Sequence, residues 1–192
     1  MRIAKIERNT SETQIVVELN LDGIGKADIK VDNKFLTHML TTLSKHSLID
    51  INLKAYGDLE HHLVEDVGIA FGIALKNALG DKKGIIRFGS ALIPMDESLA
   101  QVAIDLGGRG YCIHELKCEH NIVEDLPVSL IEHFFESFAS NAGINLHLVI
   151  LHGNDDHHKI EAIYKALAVS LRNAIKIDPR ISDKVPSTKG II

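Results

Sequence analysis

The chain has 192 residues, 45% of them apolar, and a formal net charge of -5 at pH 7. This length and composition are sufficient to bury a core, either as one domain or as two small halves. The basic residues are not clustered in runs, which excludes nucleic acid and anionic membranes as the expected main partners.

The start of the chain and its cysteines indicate a cytoplasmic protein. Met1–Lys5 lacks the apolar core of a signal peptide, and no apolar run approaches the roughly 20 residues that cross a membrane. Cys112 and Cys118 lie in a segment of alternating polarity and are expected to be free thiols. We therefore expect a cytoplasmic location and no membrane partner.

The first half of the chain predicts two strands, a helix, a third strand and a second helix. Residues 3–21 have the composition of two strands joined by a turn, and apolar side chains spaced through 35–43 predict an amphipathic helix. A polar strand or loop lies between them. Residues 47–55 alternate as a strand. A glycine-aspartate turn then leads into a helix that begins near His61 and ends at Leu79.

The second half of the chain repeats this order of elements. We expect strands at 90–94, at 98–105 and ending at Leu116, a helix at 130–140, a strand at 144–150 and a helix from His157 onward.

The two halves align as an internal repeat. His38 falls on His133, 95 residues further along, and the apolar pattern after it stays in register. With a one-residue insertion in the turn before the helix, the run His61-His62-x-x-Glu65 falls on the run that begins at His157. The sequence therefore predicts two duplicated α/β halves, residues 1–86 and 87–192, each with helices on one face of a mixed or antiparallel sheet.

The residues that the repeat aligns are eight potential ligands of divalent transition metals. They are His38, His61, His62, Glu65, His133, His157, His158 and Glu161. On a helix, each glutamate lies three and four residues from the paired histidines, on the same face. Adjacent imidazoles diverge by about 100°, so they serve two different metals more easily than one. Such ligands suit manganese, iron, cobalt or zinc rather than Cu(I), or magnesium alone.

The alternative to metal binding is an ordinary solvated helix start, which a single His-His-x-x-Glu run most often is. Duplication of the run in register with the upstream histidine favours metal binding instead. The spacing leaves open whether His38 meets His61 in its own half, a ligand of the other half, or a ligand of another subunit.

A second group of residues has the donors that a phosphate needs. Arg87 follows a lysine pair, Arg109 lies in a glycine-rich turn, and Pro186–Gly190 offers two hydroxyls, backbone amides and an ammonium. Each has an alternative interpretation, because surface arginines are commonly solvated or ion-paired and chain ends commonly fray. The residue types alone leave both interpretations open.

Together these segments resemble the imidazoleglycerol-phosphate dehydratase family of histidine biosynthesis. The resemblance covers nearly the whole chain, and its segments occur in the family's order. They are Arg8–Thr13, Phe35–Leu40, both His-His-x-x-Glu runs, Gly84–Gly89, Pro94–Glu97, Glu132–Phe135 and Pro186–Gly190.

The resemblance implies an α+β fold of duplicated half-domains, each a mixed four-stranded sheet with two helices on one face. It implies a homo-oligomer in which trimers assemble into a 24-subunit shell. The implied reaction removes water from D-erythro-imidazole glycerol phosphate to give imidazole acetol phosphate, with two Mn²⁺ per active site. The expected partner is therefore a small phosphorylated imidazole substrate.

Residue by residue, the resemblance also implies roles for the matching positions. The metal ligands are the same eight residues that the repeat selects. Glu12, His61 and His157 would be catalytic, with Glu12 as the acid-base carboxylate, and Asp96 would lie beside the substrate's hydroxyls. The phosphate would be held by Arg87, Arg109, Lys165, Ser187, Thr188 and Lys189.

The chain departs from the family's common pattern at several positions. The first histidine pair follows Gly57–Glu60 directly, where many members have a longer, acidic turn. Thr37, Thr42 and the turn at 107–110 also replace residues that are frequent in the family. These departures change the shape of one turn and some substrate contacts, while the metal ligands are kept.

Two functions of other classes fit part of the pattern. A dinuclear metal hydrolase of a phosphorylated small molecule would use a bridging hydroxide. A non-catalytic metal-storage or assembly protein would need the metal ligands only. Glu12 and the C-terminal hydroxyls and lysine count against storage, because storage needs none of them.

Overall fold

The computed structural model describes residues 1–192 as ten strands and four α-helices, with a short 3-10 turn near the C-terminus. The first half contains β1 (Ile3–Asn9), β2 (Thr13–Asn20), β3 (Ala27–Val31), α1 (Lys34–Ser47), β4 (Asp50–Gly57) and α2 (Glu60–Leu79). The second half contains β5 (Phe88–Met95), β6 (Ser98–Asp105), β7 (Tyr111–Glu115), β8 (Ile122–Val123), β9 (Leu126–Pro127), α3 (Val128–Ala142), β10 (Asn145–His152) and α4 (Asp156–Ala174).

Each half forms one four-stranded sheet, and the two sheets have equivalent strand orders, β1-β2-β4-β3 and β5-β6-β10-β7. In each sheet one pair is parallel, β3 with β4 and β7 with β10, and the remaining pairs are antiparallel. The predicted fold class, duplicated halves with mixed four-stranded sheets and two helices each, is confirmed.

The one-residue insertion between the halves lies in β10 and not in the following turn, where it was predicted. The pairing of β10 with β6 shifts register between Ile150 and His152, whereas β4 pairs with β2 without a shift. A β-bulge places one extra residue in one strand of a pair. Leu151 is therefore the inserted residue, and the repeat spacing changes at this bulge, before the second histidine pair.

Capping residues and a left-handed residue set the boundaries of the helices that carry predicted ligands. Asn33 caps α1 by accepting a hydrogen bond from the backbone amide of Leu36, and Asp155 caps α4 in the same way with His158. Leu48 has a left-handed backbone, with φ of 63°, which ends α1. The strand predicted at 47–55 consequently begins only at Asp50.

The helices of one half pack against the helices of the other. α1 contacts α4 and α2 contacts α3, while α2 also covers β1 and β2, and α4 covers β5 and β6. Two glycines let α2 approach α3 closely. A Cβ atom at Gly72 would lie 2.6 Å from the carbonyl oxygen of Phe138, and one at Gly68 would lie 2.9 Å from that of Phe134. This cross-packing brings the ligand-bearing helices of different halves together.

One hydrophobic core runs through both halves, from Ile15 of β2 to Leu171 of α4. The division of the chain between residues 86 and 87 therefore stays a prediction about the repeat. None of the helices is both long enough and apolar enough to cross a membrane.

Two features were not predicted. The segment before α1, undecided between strand and loop, is the strand β3. The hairpin of β8 and β9 was missed because two-residue strands are too short to produce an alternating pattern.

Candidate metal centres and active site

The first candidate metal centre combines helices from both halves. His38 of α1 and His157 of α4 each direct Nε2 at the same oxygen of Glu161, Oε2, at 3.1 Å. The three ligand atoms lie within 4.8 Å of one another. His157 and Glu161 are four residues apart on α4, so the helix itself aligns them, and the packing of α1 on α4 adds His38.

The second candidate centre also contains two histidines and one glutamate, but here the glutamate and one histidine come from the first half of the chain. His61 and Glu65 lie on α2, and His133 comes from α3 in the other half. The Nε2 atoms of His61 and His133 are 3.7 and 3.4 Å from Oε2 of Glu65. Sequence spacing left open which ligands His38 meets. Within one chain, the single histidine of each half lies beside the histidine-pair helix of the other half.

Glu161 is held as an anion in the first centre. Its side chain is buried, and burial raises the pKa of its carboxyl. Hydrogen bonds from Lys165, His38 and His157 outweigh burial and bring this pKa to about 2. The carboxylate is therefore available as a ligand at neutral pH.

Both centres fit a first-row divalent metal. Each offers two imidazole nitrogens and one carboxylate oxygen, a ligand set that suits manganese, iron, cobalt and zinc. Three protein ligands leave coordination positions free for a substrate or for further ligands. Six of the eight predicted ligands thus lie in two clusters of three.

His62 and His158 lie outside both clusters. Nδ1 of His62 is 2.8 Å from Oδ1 of Asp58, and Nδ1 of His158 is 2.8 Å from Oε2 of Glu97. These hydrogen bonds raise the pKa of both imidazoles, against a smaller lowering by desolvation. Neither imidazole contributes a ligand atom to a cluster, so a single chain does not bring these two predicted ligands to either centre.

The predicted catalytic carboxylate and the predicted hydroxyl contact lie in the turns of two equivalent hairpins. Glu12 lies between β1 and β2, and its Oε2 is 3.8 Å from Nδ1 of His62. Asp96 lies between β5 and β6, and its Oδ2 is 3.7 Å from Nε2 of His158. Their side chains are 52% and 76% exposed, so both can meet a bound substrate.

The missed hairpin supports the first metal centre. Its turn residue Glu124 accepts a hydrogen bond at 2.9 Å from Nδ1 of His157, and Asp125 accepts from the first backbone amides of α1. An open cleft of about 520 Å³ lies between this turn and the cluster, lined by Lys34, Phe35, His38, Glu124, Asp125 and His157. The sequence signal that could have found it is the acidic pair between Val123 and Leu126, which are buried.

Most of the predicted phosphate donors share a second cleft, of about 390 Å³. Arg87, Arg109, Ser187, Thr188 and Lys189 line it, together with Gly107 and Gly108. The guanidinium of Arg87 donates to both carboxylate oxygens of Asp105 and to the carbonyl of Pro186. Arg87 therefore holds the C-terminal segment in the cleft. The other two cations of the cleft, Arg109 and Lys189, form no ion pair within the chain.

Lys165 does not line this cleft. Its ammonium is 2.9 Å from Oε1 of Glu161 and 3.5 Å from the sulfur of Met95. Within one chain it belongs to the first metal centre, one helical turn beyond Glu161.

Comparison with known proteins agrees with these features. The family model described as imidazoleglycerol-phosphate dehydratase matches residues 32–171. Imidazoleglycerol-phosphate dehydratases from Dehalococcoides mccartyi strain CBDB1 and Chloroherpeton thalassium are each 50% identical to this chain, over 191 and 194 residues. All of this chain is covered in both alignments, with 97% and 98% of those proteins.

Solved structures give the same result. The crystal structure of imidazoleglycerol-phosphate dehydratase from Staphylococcus aureus superposes with a TM-score of 0.82 at 34% identity, covering 92% of this chain and 99% of that one. The enzyme from Pyrococcus furiosus in complex with (S)-C348 superposes with a TM-score of 0.85 at 35% identity, covering 97% and 100%. The chain therefore belongs to the imidazoleglycerol-phosphate dehydratase family and is an enzyme of the lyase class.

Proposed function

We propose that this chain dehydrates imidazole glycerol phosphate to imidazole acetol phosphate in histidine biosynthesis, using two Mn²⁺ per active site. The observation that carries the proposal is the pair of His-His-Glu clusters, each built from both halves of a chain of this family. Substrate and metal requirement come from the family. Two clusters of potential metal ligands and a cleft lined by cations in one molecule support both parts of the proposal.

The reaction breaks the C–O bond of the hydroxyl on the carbon attached to the imidazole ring and the C–H bond on the next carbon. The two groups leave as water, and the resulting enol becomes the ketone of imidazole acetol phosphate. Such a proton is barely acidic in water. Metal ions in the two clusters would supply Lewis-acid stabilisation of the developing charge. Glu12 is the accessible carboxylate best suited to move the proton, because it carries no ion pair shorter than its 3.8 Å approach to His62.

Binding of the substrate would use the remaining polar side chains. Asp96 would accept hydrogen bonds from the substrate's hydroxyls, while Lys189 and Arg109 would neutralise the phosphate with help from the hydroxyls of Ser187 and Thr188. Lys165 lies at the metal centre in this chain, so its proposed phosphate contact requires a different subunit arrangement or a different substrate orientation.

The direct test is ultraviolet detection of the enol product from imidazole glycerol phosphate, with metal-free and Mn²⁺-loaded protein. Product formation only with metal would support the proposal. Release of inorganic phosphate without dehydration would support the dinuclear hydrolase instead. Metal binding without either reaction would indicate metal storage.

We also propose a homo-oligomer, with trimers assembled into a 24-subunit shell. The outer faces of the two sheets differ. Leu92, Ala103 and Ile113 lie exposed on the second sheet, where the first sheet carries charged residues such as Lys5 and Glu18. An uncovered apolar face favours association. The proposed setting for this assembly is the cytoplasm.

Metal is expected to link subunits. His62 and His158 lie outside the clusters of their own chain, so a site with more than three protein ligands must take them from another copy. We expect about two Mn²⁺ per chain after reconstitution, because eight ligands exceed the needs of one ordinary six-coordinate ion. Removing metal should shift the protein from a large shell toward trimers or smaller species.

Elemental analysis measures the metal content, and light scattering after size exclusion measures the particle size, in the same samples. His62→Ala and His158→Ala should each lower the metal content, because the repeat makes them equivalent. Loss for only one variant would mean that the halves have diverged. One ion or none per wild-type chain would contradict the metal assignment, and one particle size with and without metal would mean that metal fills a preformed shell.

The phosphate cleft makes a separate prediction. Lys189→Ala should raise KM by about 10- to 100-fold, because hydrogen bonds to charged groups contribute roughly 1.5–3 kcal/mol. The loss should be smaller for a substrate analogue that lacks the phosphate. Steady-state kinetics with both substrates, and with Lys184→Ala as a control outside the cleft, test the assignment. Equal losses for both substrates would refute it.

A further inference from the structure

The two halves present a glutamate at the same place in their first hairpins. Glu12 immediately precedes Thr13, the first residue of β2, and Glu97 immediately precedes Ser98, the first residue of β6. Thr13 and Ser98 are both buried. The duplication therefore makes Glu12 and Glu97 structural counterparts, each near the second histidine of its own half, at 3.8 and 2.8 Å.

The carboxylate of Glu97 accepts four hydrogen bonds. Its Oε1 accepts hydrogen bonds from the backbone amides of Asn154 and Asp155 at 3.2 and 2.9 Å, and lies 3.1 Å from the hydroxyl of Ser98. Its Oε2 accepts from Nδ1 of His158 at 2.8 Å. A carboxylate with all these partners is anchored in one position and cannot move with a substrate.

In the first half, Asp58 rather than the hairpin glutamate contacts Nδ1 of the second histidine. Oδ1 of Asp58 lies 2.8 Å from Nδ1 of His62, and the same oxygen accepts from the backbone amide of Leu59 at 2.7 Å. Asp58 lies in the turn between β4 and α2. In the second half, Asp155 of the corresponding turn instead caps α4 through the amide of His158. Because Asp58 occupies Nδ1 of His62, Glu12 stays unanchored.

We propose that Glu97 and Asp58 are positioning residues that hold His158 and His62 with the proton on Nδ1, which keeps Nε2 free as a metal ligand. A carboxylate only accepts hydrogen bonds, so the imidazole nitrogen that faces it must be the donor. Such contacts fix the tautomer and ring orientation of ligating histidines. The inference rests on the proposed function and extends it, because it explains why Glu12 alone of the hairpin pair is free for proton transfer.

Glu97→Gln separates this role from a merely structural one. The amide oxygen of Gln can still accept from the two backbone amides, which leaves the NH₂ group facing Nδ1 of His158. Nδ1 must then become the acceptor, and the proton moves to Nε2, which can no longer bind metal. Asp58→Asn should not have this effect on His62, because Oδ1 of Asp58 accepts from both Leu59 and His62, and the amide oxygen of Asn can keep both contacts. We expect the Mn²⁺ affinity of Glu97→Gln to fall by about 10- to 100-fold and that of Asp58→Asn to stay near the wild-type value.

The measurement is competition for Mn²⁺ with a chelator of known affinity, using the full-length protein, with circular dichroism to verify folding. Glu97→Ala should lose less affinity than Glu97→Gln, since water can accept from Nδ1 when the side chain is absent. Loss of a purely structural contact would give the opposite order. Glu12→Gln is the matched control and should keep wild-type affinity.

The outcomes separate the two levels of inference. Wild-type affinity in Glu97→Gln, or an equal loss in Glu97→Gln and Asp58→Asn, would overturn the positioning role and leave the proposed function intact. A wild-type protein that binds no Mn²⁺ would overturn the proposed function itself. If Glu97→Gln does not fold, nitrogen NMR of the metal-free wild-type protein decides the result, because neutral His158 and His62 must carry the proton on Nδ1. A proton on Nε2 in both would overturn the positioning role.

Discussion

Replacing Glu12 by Gln is expected to lower kcat for the dehydration by about 10²- to 10⁴-fold, the usual contribution of a positioned general acid or base. Metal content and particle size should not change, because Glu12 contributes to neither cluster. The substitution keeps the size of the side chain and removes only its ability to take up a proton. Steady-state rates at saturating Mn²⁺ and substrate measure the effect.

The turn that carries Glu12 is held against α2, the helix with three of the predicted metal ligands, which fixes the position of Glu12. The guanidinium of Arg8 lies 2.8 Å from Oδ1 of Asp66, and the hydroxyl of Thr13 donates to the other oxygen of Asp66. Asp66 is buried on α2, directly after the proposed metal ligand Glu65. The backbone carbonyl of Glu12 also accepts from the amide of Asp58. Movement of α2 therefore moves Glu12 with it.

Glu7→Gln is the control for the Glu12 experiment. Glu7 lies on the same hairpin, is exposed and pairs only with Lys5, so its loss should leave the rate unchanged. An equal loss of rate in both variants would indicate a general effect of charge. An unchanged rate in Glu12→Gln would move the proton-transfer role to another group.

The sequence repeat predicted the eight candidate ligands and the duplicated fold, since ligand spacing and apolar periodicity are local properties of a helix. It could not predict which histidine meets which glutamate. That pairing depends on α1 packing against α4 and α2 against α3, and those contacts join residues far apart in the chain. His38 and Glu161 are separated by 123 residues.

The supporting carboxylates were missed for a related reason. Glu97, Asp58 and Glu124 lie in turns, where acidic residues are common and usually solvated. Only the tertiary structure brings Glu97 and Glu124 within 2.9 Å of a histidine Nδ1, whereas Asp58 meets His62 locally, four residues along the chain. The repeat did contain a signal for Glu97, because aligning the two hairpins places it on Glu12.

Lys165 illustrates the limit of assigning roles by resemblance. Its position matches a phosphate-binding residue of the family, yet its nearest anion in the chain is Glu161. A long lysine side chain is mobile enough to change partners when a substrate or a second subunit brings a stronger anion. The phosphate role of Lys165 therefore stays a prediction, unlike the shared cleft of Arg109, Ser187 and Lys189, which the structure contains.

The largest effect on stability is expected from Asp156, which begins α4 next to the proposed metal ligand His157. Its carboxylate is 2.9 Å from the ammonium of Lys159, which is only 2% exposed and also donates to the carbonyl of Lys117. The same carboxylate accepts from the backbone amides of Glu119 and His120. The buried pair of Asp156 and Lys159 thus joins the start of α4 to the segment before β8.

Asp156→Ala should lower the free energy of unfolding by about 3–5 kcal/mol, because removing one partner leaves the other buried charge without compensation. Urea unfolding of the metal-free protein is the appropriate measurement, since bound metal would add stability of its own. Asp155→Ala is the neighbouring control. It removes only a helix cap and should cost about 1 kcal/mol.

The pH dependence of this loss gives a further test of its cause. Burial raises the pKa of Asp156, but hydrogen bonds from Lys159, His120 and Glu119 outweigh burial and hold the pKa far below its usual range. A carboxyl with a depressed folded-state pKa stabilises the fold fully above its unfolded pKa of about 3.9, and less as the pH falls below that value. The difference between wild type and Asp156→Ala should therefore be constant from about pH 5 to 8 and shrink in acid. A difference that is independent of pH down to about pH 2 would mean that lost packing and backbone hydrogen bonds, rather than the charge of Asp156, account for the destabilisation.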